Sequence, residues 1–191
     1  MFKDLVKKSR SYRSFDQSRK IIEAELREFV DCARFAPSSV NLQPLKYRLV
    51  FEEKELEILR PLTHWARALP GLQLPPEGRH ATGFIVICLD TAISDKKQVF
   101  LRDVGIVAQT MILDAVEKGL AGTMIGNFEP EKVSRALNLP AGAEPLLIVA
   151  FGKPDEKIVL TEVEKGESVK YYRDENGVHY VPKRKLDDII I

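Results

Sequence analysis

Ala36-Pro37-Ser38-Ser39-Val40-Asn41-Leu42-Gln43-Pro44 is the stretch on which the reading of this chain turns. Two hydroxyls and two amides stand between prolines, directly after a predicted helix end. Ser and Asn favour turns on their own account. The same small polar groups on a rigid loop can also meet a planar ligand whose edge offers both donors and acceptors. Upstream, Leu26, Phe29, Val30 and Ala33 recur at helical spacing from Glu23 and stop before Pro37, which predicts an amphipathic helix. Downstream, Tyr47 to Phe51 predicts a strand with Tyr47, Leu49 and Phe51 on one face. A charged helical stretch from Glu52 to Leu59 follows, ended or bent by Pro61.

Further along, residues 70 to 83 carry Pro70, Pro75 and Pro76 with Gly71 and Gly78 and predict an irregular excursion of the kind that shapes substrate entry. Gly83 to Leu89 is a continuous apolar run too short for a typical helix, and its Phe, Ile and Val predict a strand buried on both faces. Val104, Val107, Ala108, Met111, Ile112, Ala115 and Val116 mark one face of a helix, while Gly105, Ile106 and Leu113 leave its other side nearly apolar. Such a helix must be buried against more than one layer, and a partner subunit is a natural second layer. Gly119 is its expected stop. Ala121 to Ile125 and Leu146 to Phe151 predict two more strands around a short helix opened by Pro130 and ended by Pro140. Val169 to Arg173 and Val178 to Val181 flank Asn176-Gly177, a hairpin-turn dipeptide, before a basic cluster and an apolar tip.

The chain has 191 residues, enough for one domain, here 1–191, with a C-terminal arm at about 169–191. Its 29 Lys and Arg against 28 Asp and Glu leave a net charge of +1, which argues against a nucleic-acid or membrane surface, so any anion site must be local. The apolar run Phe84 to Leu89, which no other exceeds, falls well short of the roughly 20 residues of a membrane span. The N-terminus lacks the apolar stretch of a secretory signal, and the expected location is the cytoplasm. Cys32 and Cys88 each lie in an apolar pattern and read as core thiols, and His64, His80 and His179 share no ligand spacing. Redox chemistry would therefore need a bound organic cofactor.

Four constellations remain. Arg10-Ser11-Tyr12-Arg13 places two guanidinium groups about a hydroxyl, a fit for phosphate oxygens, although a solvated basic loop looks the same. The Pro37 to Pro44 loop is the second. Asp103-Val104-Gly105 with Gln109 leads through the buried helix to Gly119-Leu120-Ala121-Gly122-Thr123-Met124-Ile125-Gly126-Asn127. There Asp103 reads as a helix cap, and the Gly126-Asn127 loop reads either as a plain turn or as backbone open to a planar ligand. Lys183-Arg184-Lys185 reads as a solvated tail or as additional charge for a phosphate.

Taken in order, these pieces resemble the FMN-dependent nitroreductase family over nearly the whole chain. Members carry an early Arg-Ser-x-Arg motif, a Pro-Ser-Ser-x-Asn-x-Gln-Pro loop, an Asp-x-Gly helix with Gln, and a Gly-Leu-x-Gly-Thr strand leading to a glycine loop. Residues 10 to 13, 37 to 44, 103 to 109 and 119 to 126 match them in turn. The resemblance implies an α+β fold with a mostly antiparallel central sheet flanked by helices, assembled as an intertwined homodimer with FMN at the interface. It implies that Arg10 and Ser11 hold the phosphate with Lys183 or Arg184, and that Arg13 reaches the flavin pyrimidine. Pro37, Ser38, Ser39, Asn41 and Gln43 would come from the other subunit, and a backbone N–H near Gly126 or Asn127 would point at the reactive ring nitrogen. The implied activity is hydride transfer from NADH or NADPH to a nitroaromatic, quinone or related small acceptor by a ping-pong mechanism. A reductive dehalogenase or flavin-fragmenting enzyme on the same scaffold, or a non-catalytic flavin carrier, are the competing readings. Two departures stand out: Leu45-Lys46 where many relatives have an aromatic residue after Gln-Pro, and residues 61 to 82, which match no second flavin-contacting stretch.

Overall fold

A computed structural model describes residues 1–66, 69 and 71–191. Its centre is β3 (Gly83–Asp90), buried from Gly83 to Leu89. Successive strand residues point to opposite faces, so Ile85 and Ile87 enter one apolar layer while Phe84, Val86 and Cys88 enter the other. This is the doubly buried strand expected from the continuous apolar run.

Antiparallel neighbours extend the sheet on both sides: β2 (Leu45–Val50) pairs with β3, and β3 with β5 (Ala143–Pro154). β5 pairs in turn with β4 (Ala121–Ile125) and, at its end, with the two-residue β1 (Phe15–Asp16). On one face lie α2 (Glu23–Ala33) and α4 (Lys97–Glu117), which bring Leu26, Phe29, Val107, Ala108 and Met111 against Ile85, Ile87 and Phe151. On the other lie α3 (Glu53–Leu59) and α5 (Pro130–Ala136), which bring Leu56, Leu59 and Val133 against Phe84 and Val86. The short α1 (Phe2–Lys8) leads in. Two helical layers about an antiparallel sheet make an α+β sandwich, as expected. No helix among the described residues is long and apolar enough to cross a membrane.

Of the two outcomes expected at Pro61 the structure shows the bend, with the helix passing into a 3-10 turn, Arg60–Leu62. Several boundaries differ from expectation for local reasons. α5 stops before Pro140, because Asn138 adopts a left-handed φ of 48°. Asp103 does not cap a helix: α4 begins six residues earlier, so its carboxylate is free for other work. Cys32 is exposed, since it falls outside the Leu26, Phe29 and Ala33 stripe of α2, whereas Cys88 is a buried core thiol pushed up to about 12 by burial. Pro70, the expected start of the irregular excursion, lies outside the described residues.

Beyond the central sheet the chain builds a second one. β6 (Ile158–Val163) pairs in parallel with β8 (His179–Arg184), which pairs antiparallel with β7 (Tyr172–Arg173). The hairpin at Asn176-Gly177 is present, with Gly177 at φ +74°, but its first strand is only two residues long. β6 was not expected, although Ile158-Val159-Leu160 is a β-favouring run.

Candidate active site

α4 organises the site. Asp103 is buried, 2% exposed, and accepts from the Ser38 hydroxyl, the Ser39 hydroxyl and the Ser39 backbone N–H, each at 2.8 Å. The Gln43 N–H donates to the Ser38 oxygen at 3.1 Å, which closes the loop on itself. Both serine hydroxyl protons are therefore committed to Asp103, and Gln43 Nε2 donates to the Asn41 carbonyl at 3.0 Å and to Asn41 Oδ1 at 3.1 Å, so what this loop offers outward is backbone with the Asn41 amide nitrogen and the Gln43 amide oxygen. Val40, Asn41 and Gln43 all have left-handed φ, at 48°, 54° and 51°. For a β-branched residue such as Val40 that is a strained conformation, sustained here by the Asp103 tether and the flanking prolines.

Six residues on, Gln109 donates to the Ser9 hydroxyl at 3.0 Å and so fixes the N-terminal turn. Six helical residues correspond to about 9 Å along the axis and about 120° around it. The serine loop and the N-terminal turn are thus anchored on different sides of α4 within one chain. Between them on the exposed side lie Gly105 and Ile106, the latter 39% exposed.

On the N-terminal turn, Arg10 is half-buried. One terminal nitrogen donates to the Val6 carbonyl at 2.9 Å, while Nε is buried with no partner among the described residues. Ser11 is exposed and its backbone bridges Gly122 of β4. Arg13 is held from several directions. Its backbone N–H donates to Glu156, its guanidinium donates to the Ser11 carbonyl at 3.1 Å, and its guanidinium carbon lies 5.0 Å from the Tyr171 ring centre. A terminal nitrogen stands 3.4 Å from His179 Nε2, which serves as acceptor when the imidazole is neutral. Burial, with Arg13 and Arg173 nearby, pushes His179 down to about 4 and keeps it neutral. Glu156 also pairs with Arg173, both well buried. These contacts dock the second sheet onto the N-terminal turn.

Arg13 faces a cavity of about 360 Å³ together with Gly126 and Asn127 at the end of β4, and with His64, Trp65 and Tyr171. A Cβ added at Gly126 would meet nothing within 4 Å, so its backbone borders open space. The Asn127 carbonyl accepts from the His64 N–H at 3.0 Å, tying the excursion to the glycine loop. Arg13, Gly126 and Asn127 therefore border one cavity. Pro37, Ser38 and Gln43 instead border a separate cavity of about 170 Å³ with Asp103 and Tyr47. Lys183 and Arg184 lie at the far end of β8, roughly 13 Å or more along the strand from His179, and neither bonds to the N-terminal turn among the described residues. His64, Trp65, Tyr171, Glu156 and His179 were not foreseen as site residues. Each acts through a long-range contact that sequence spacing does not carry.

Comparison with known proteins gives a consistent result. The model of the nitroreductase family matches residues 6–153, so the second sheet lies beyond it. A Bacillus subtilis protein assigned as an NAD(P)H nitroreductase is 24% identical over 187 residues, covering 80% of this chain and 88% of the relative. A Staphylococcus epidermidis protein assigned as an NAD(P)H:FMN oxidoreductase is 18% identical, with a TM-score of 0.73 over 100% of this chain and 95% of its own. A protein of Exiguobacterium sibiricum assigned as a nitroreductase and solved with FMN is 21% identical, with a TM-score of 0.66, covering 81% and 88%.

Proposed function

The chain belongs to the nitroreductase family, and from that premise we propose that it is an FMN-dependent oxidoreductase that draws hydride from NADH or NADPH and works as a homodimer. The observation that carries this reading is the cavity where Arg13 meets the Gly126-Asn127 loop, residues brought together only by the fold. The residues present suit the cofactor. Among the described residues Arg10 has a buried Nε with no partner and a guanidinium otherwise spent on one carbonyl, which suits a phosphate dianion beside the exposed Ser11. Backbone at Gly126 borders space that a flat ring can enter. FMN bound there would supply two-electron transfer, taking hydride from a reduced nicotinamide and passing it to a nitroaromatic, quinone or similar acceptor in a ping-pong exchange.

The chain's own part is positional and electrostatic. Arg13 keeps a fixed positive charge at the cavity, aimed by Glu156, Tyr171 and the neutral His179. Negative charge developing near it is stabilised without rearrangement. Trp65 and Tyr171 line the cavity as aromatic walls. The serine loop, fixed on another side of α4, serves the partner's cofactor, with Pro37, Ser38, Ser39, Asn41 and Gln43 contributing mainly backbone and amide groups. Lys183 and Arg184 would join the phosphate only through that assembly.

Anaerobic mixing of FMN-loaded protein with NADH and with NADPH tests the reading. Bleaching of the flavin absorbance with at least one donor is the expected result, and no bleaching with either contradicts it.

A further inference from the structure

Resting on the oxidoreductase reading, we propose that a second cavity, bounded by Trp65, Phe84, Arg60, His80 and Glu57, receives the adenosine half of the dinucleotide donor with its ribose unphosphorylated at the 2′ position. The cavity measures about 390 Å³, within the roughly 300–1,000 Å³ of small-molecule sites. Its walls are largely apolar, with the indole of Trp65 and the ring of Phe84 joined by Leu74 and Pro75. Trp65 is fixed there by a bond from its Nε1 to the Thr63 hydroxyl at 2.9 Å and by edge-on contact with Phe15, ring centres 6.4 Å apart. A held aromatic plate is a stacking surface for a purine.

Trp65 also lines the cavity that holds Arg13 and Gly126. The two cavities share a wall, so one molecule with two heterocycles joined by a flexible linker can place a ring in each. A reduced nicotinamide dinucleotide has that form.

Charge selects the form of the ribose. The Arg60 terminal nitrogens donate to Glu53 at 2.7 Å and to the Ala81 carbonyl at 3.2 Å, its Nε is buried with no partner among the described residues, and Glu53 also receives Lys20 at 3.0 Å. His80 is pushed down by burial, with the Arg60 charge adding to the effect, which favours its neutral form. Glu57 pairs with no cation among the described residues. A carboxylate accepts from a ribose diol and repels a phosphate dianion.

Trp65 is the single tryptophan of the chain, so its fluorescence reports on this wall directly. The FMN-loaded protein is titrated with ADP-ribose and with 2′-phospho-ADP-ribose, so that the flavin cavity is already filled. ADP-ribose is expected to give a saturable change, with the phosphorylated form binding about tenfold weaker or more. Glu57→Lys, an exposed change on α3, is expected to erase or reverse that preference with an unchanged melting temperature. No saturable response to ADP-ribose, tighter binding of the phosphorylated form, or an unaltered preference in Glu57→Lys overturns the assignment. Failure of the oxidoreductase reading is distinguishable, since it appears as a flavin that neither donor bleaches. A flavin bleached by NADH in a protein whose Trp65 ignores ADP-ribose contradicts the second cavity alone.

Discussion

Ser39 meets Asp103 twice, its backbone N–H donating to Oδ2 and its hydroxyl to Oδ1, both at 2.8 Å. With Ser38 donating as well, one buried carboxylate in the interior of α4 fixes a loop that contains three residues at left-handed φ. Such residues are strained by roughly 1–3 kcal/mol each, and the tether is what keeps the loop in that shape. α4 thereby sets where the serine loop stands relative to the N-terminal turn.

Replacing Asp103 with Asn removes the charge and part of the acceptor capacity for three donors. A loss of about 2–3 kcal/mol is expected, read as a lower denaturant midpoint, together with weaker FMN retention. Burial opposes ionisation of Asp103, but the three donated hydrogen bonds outweigh it and hold the carboxyl below the usual range. A carboxyl with a depressed folded-state pKa stabilises the fold above its unfolded pKa, and that stabilisation is lost as pH falls through the folded value. Asp103→Asn should flatten this acid limb.

His179 gives a second pH dependence with its own window. Its folded value of about 4 lies below the unbound 6.5, so the unfolded chain takes up the proton first. Docking of the second sheet should be fully stable above about pH 6.5 and weaken as pH falls toward 4. Hydrogen-exchange protection factors at Tyr172, Arg173 and His179 should fall over that window, and His179→Gln should remove the dependence.

Arg10→Ala should weaken FMN binding by about ten- to a hundredfold, the effect of one or two charge-assisted bonds to phosphate, and Arg10→Ala with Arg13→Ala should release it. Equilibrium dialysis measures both. Full retention in the double variant contradicts the assigned clamp.

Ile106→Arg places a charge on the exposed side of α4, 39% exposed in the single chain. If the proposed dimer covers this side, its affinity should fall by roughly thirtyfold or more, seen by sedimentation as monomer, with loss of FMN. An unchanged dimer contradicts that placement.

Much of this arrangement was readable in the sequence because it is local. The Leu26-Phe29-Ala33 stripe, the Gly83 to Leu89 run and the Asn176-Gly177 turn each answer to spacing or backbone preference, and each element appears where expected. What escaped depends on pairs far apart in the chain. Asp103 resembles a cap until Ser38 and Ser39 are seen to lie against it. Glu156, Tyr171 and His179 become site residues only because the second sheet folds back onto Arg13. Trp65 was hidden in an irregular segment with no periodicity to place it.

The central claim is that one site takes its arginine turn from one chain and its serine loop from another. Mixing settles it: Arg10→Ala/Arg13→Ala protein and Asp103→Asn protein, each deficient in FMN binding, are dissociated together and reassembled, and bound FMN is measured. A mixed dimer built across chains contains one site with both intact parts, so FMN binding should reappear. If both parts of a site came from the same chain, no mixed dimer would hold an intact site, and the absence of any recovery would contradict the claim.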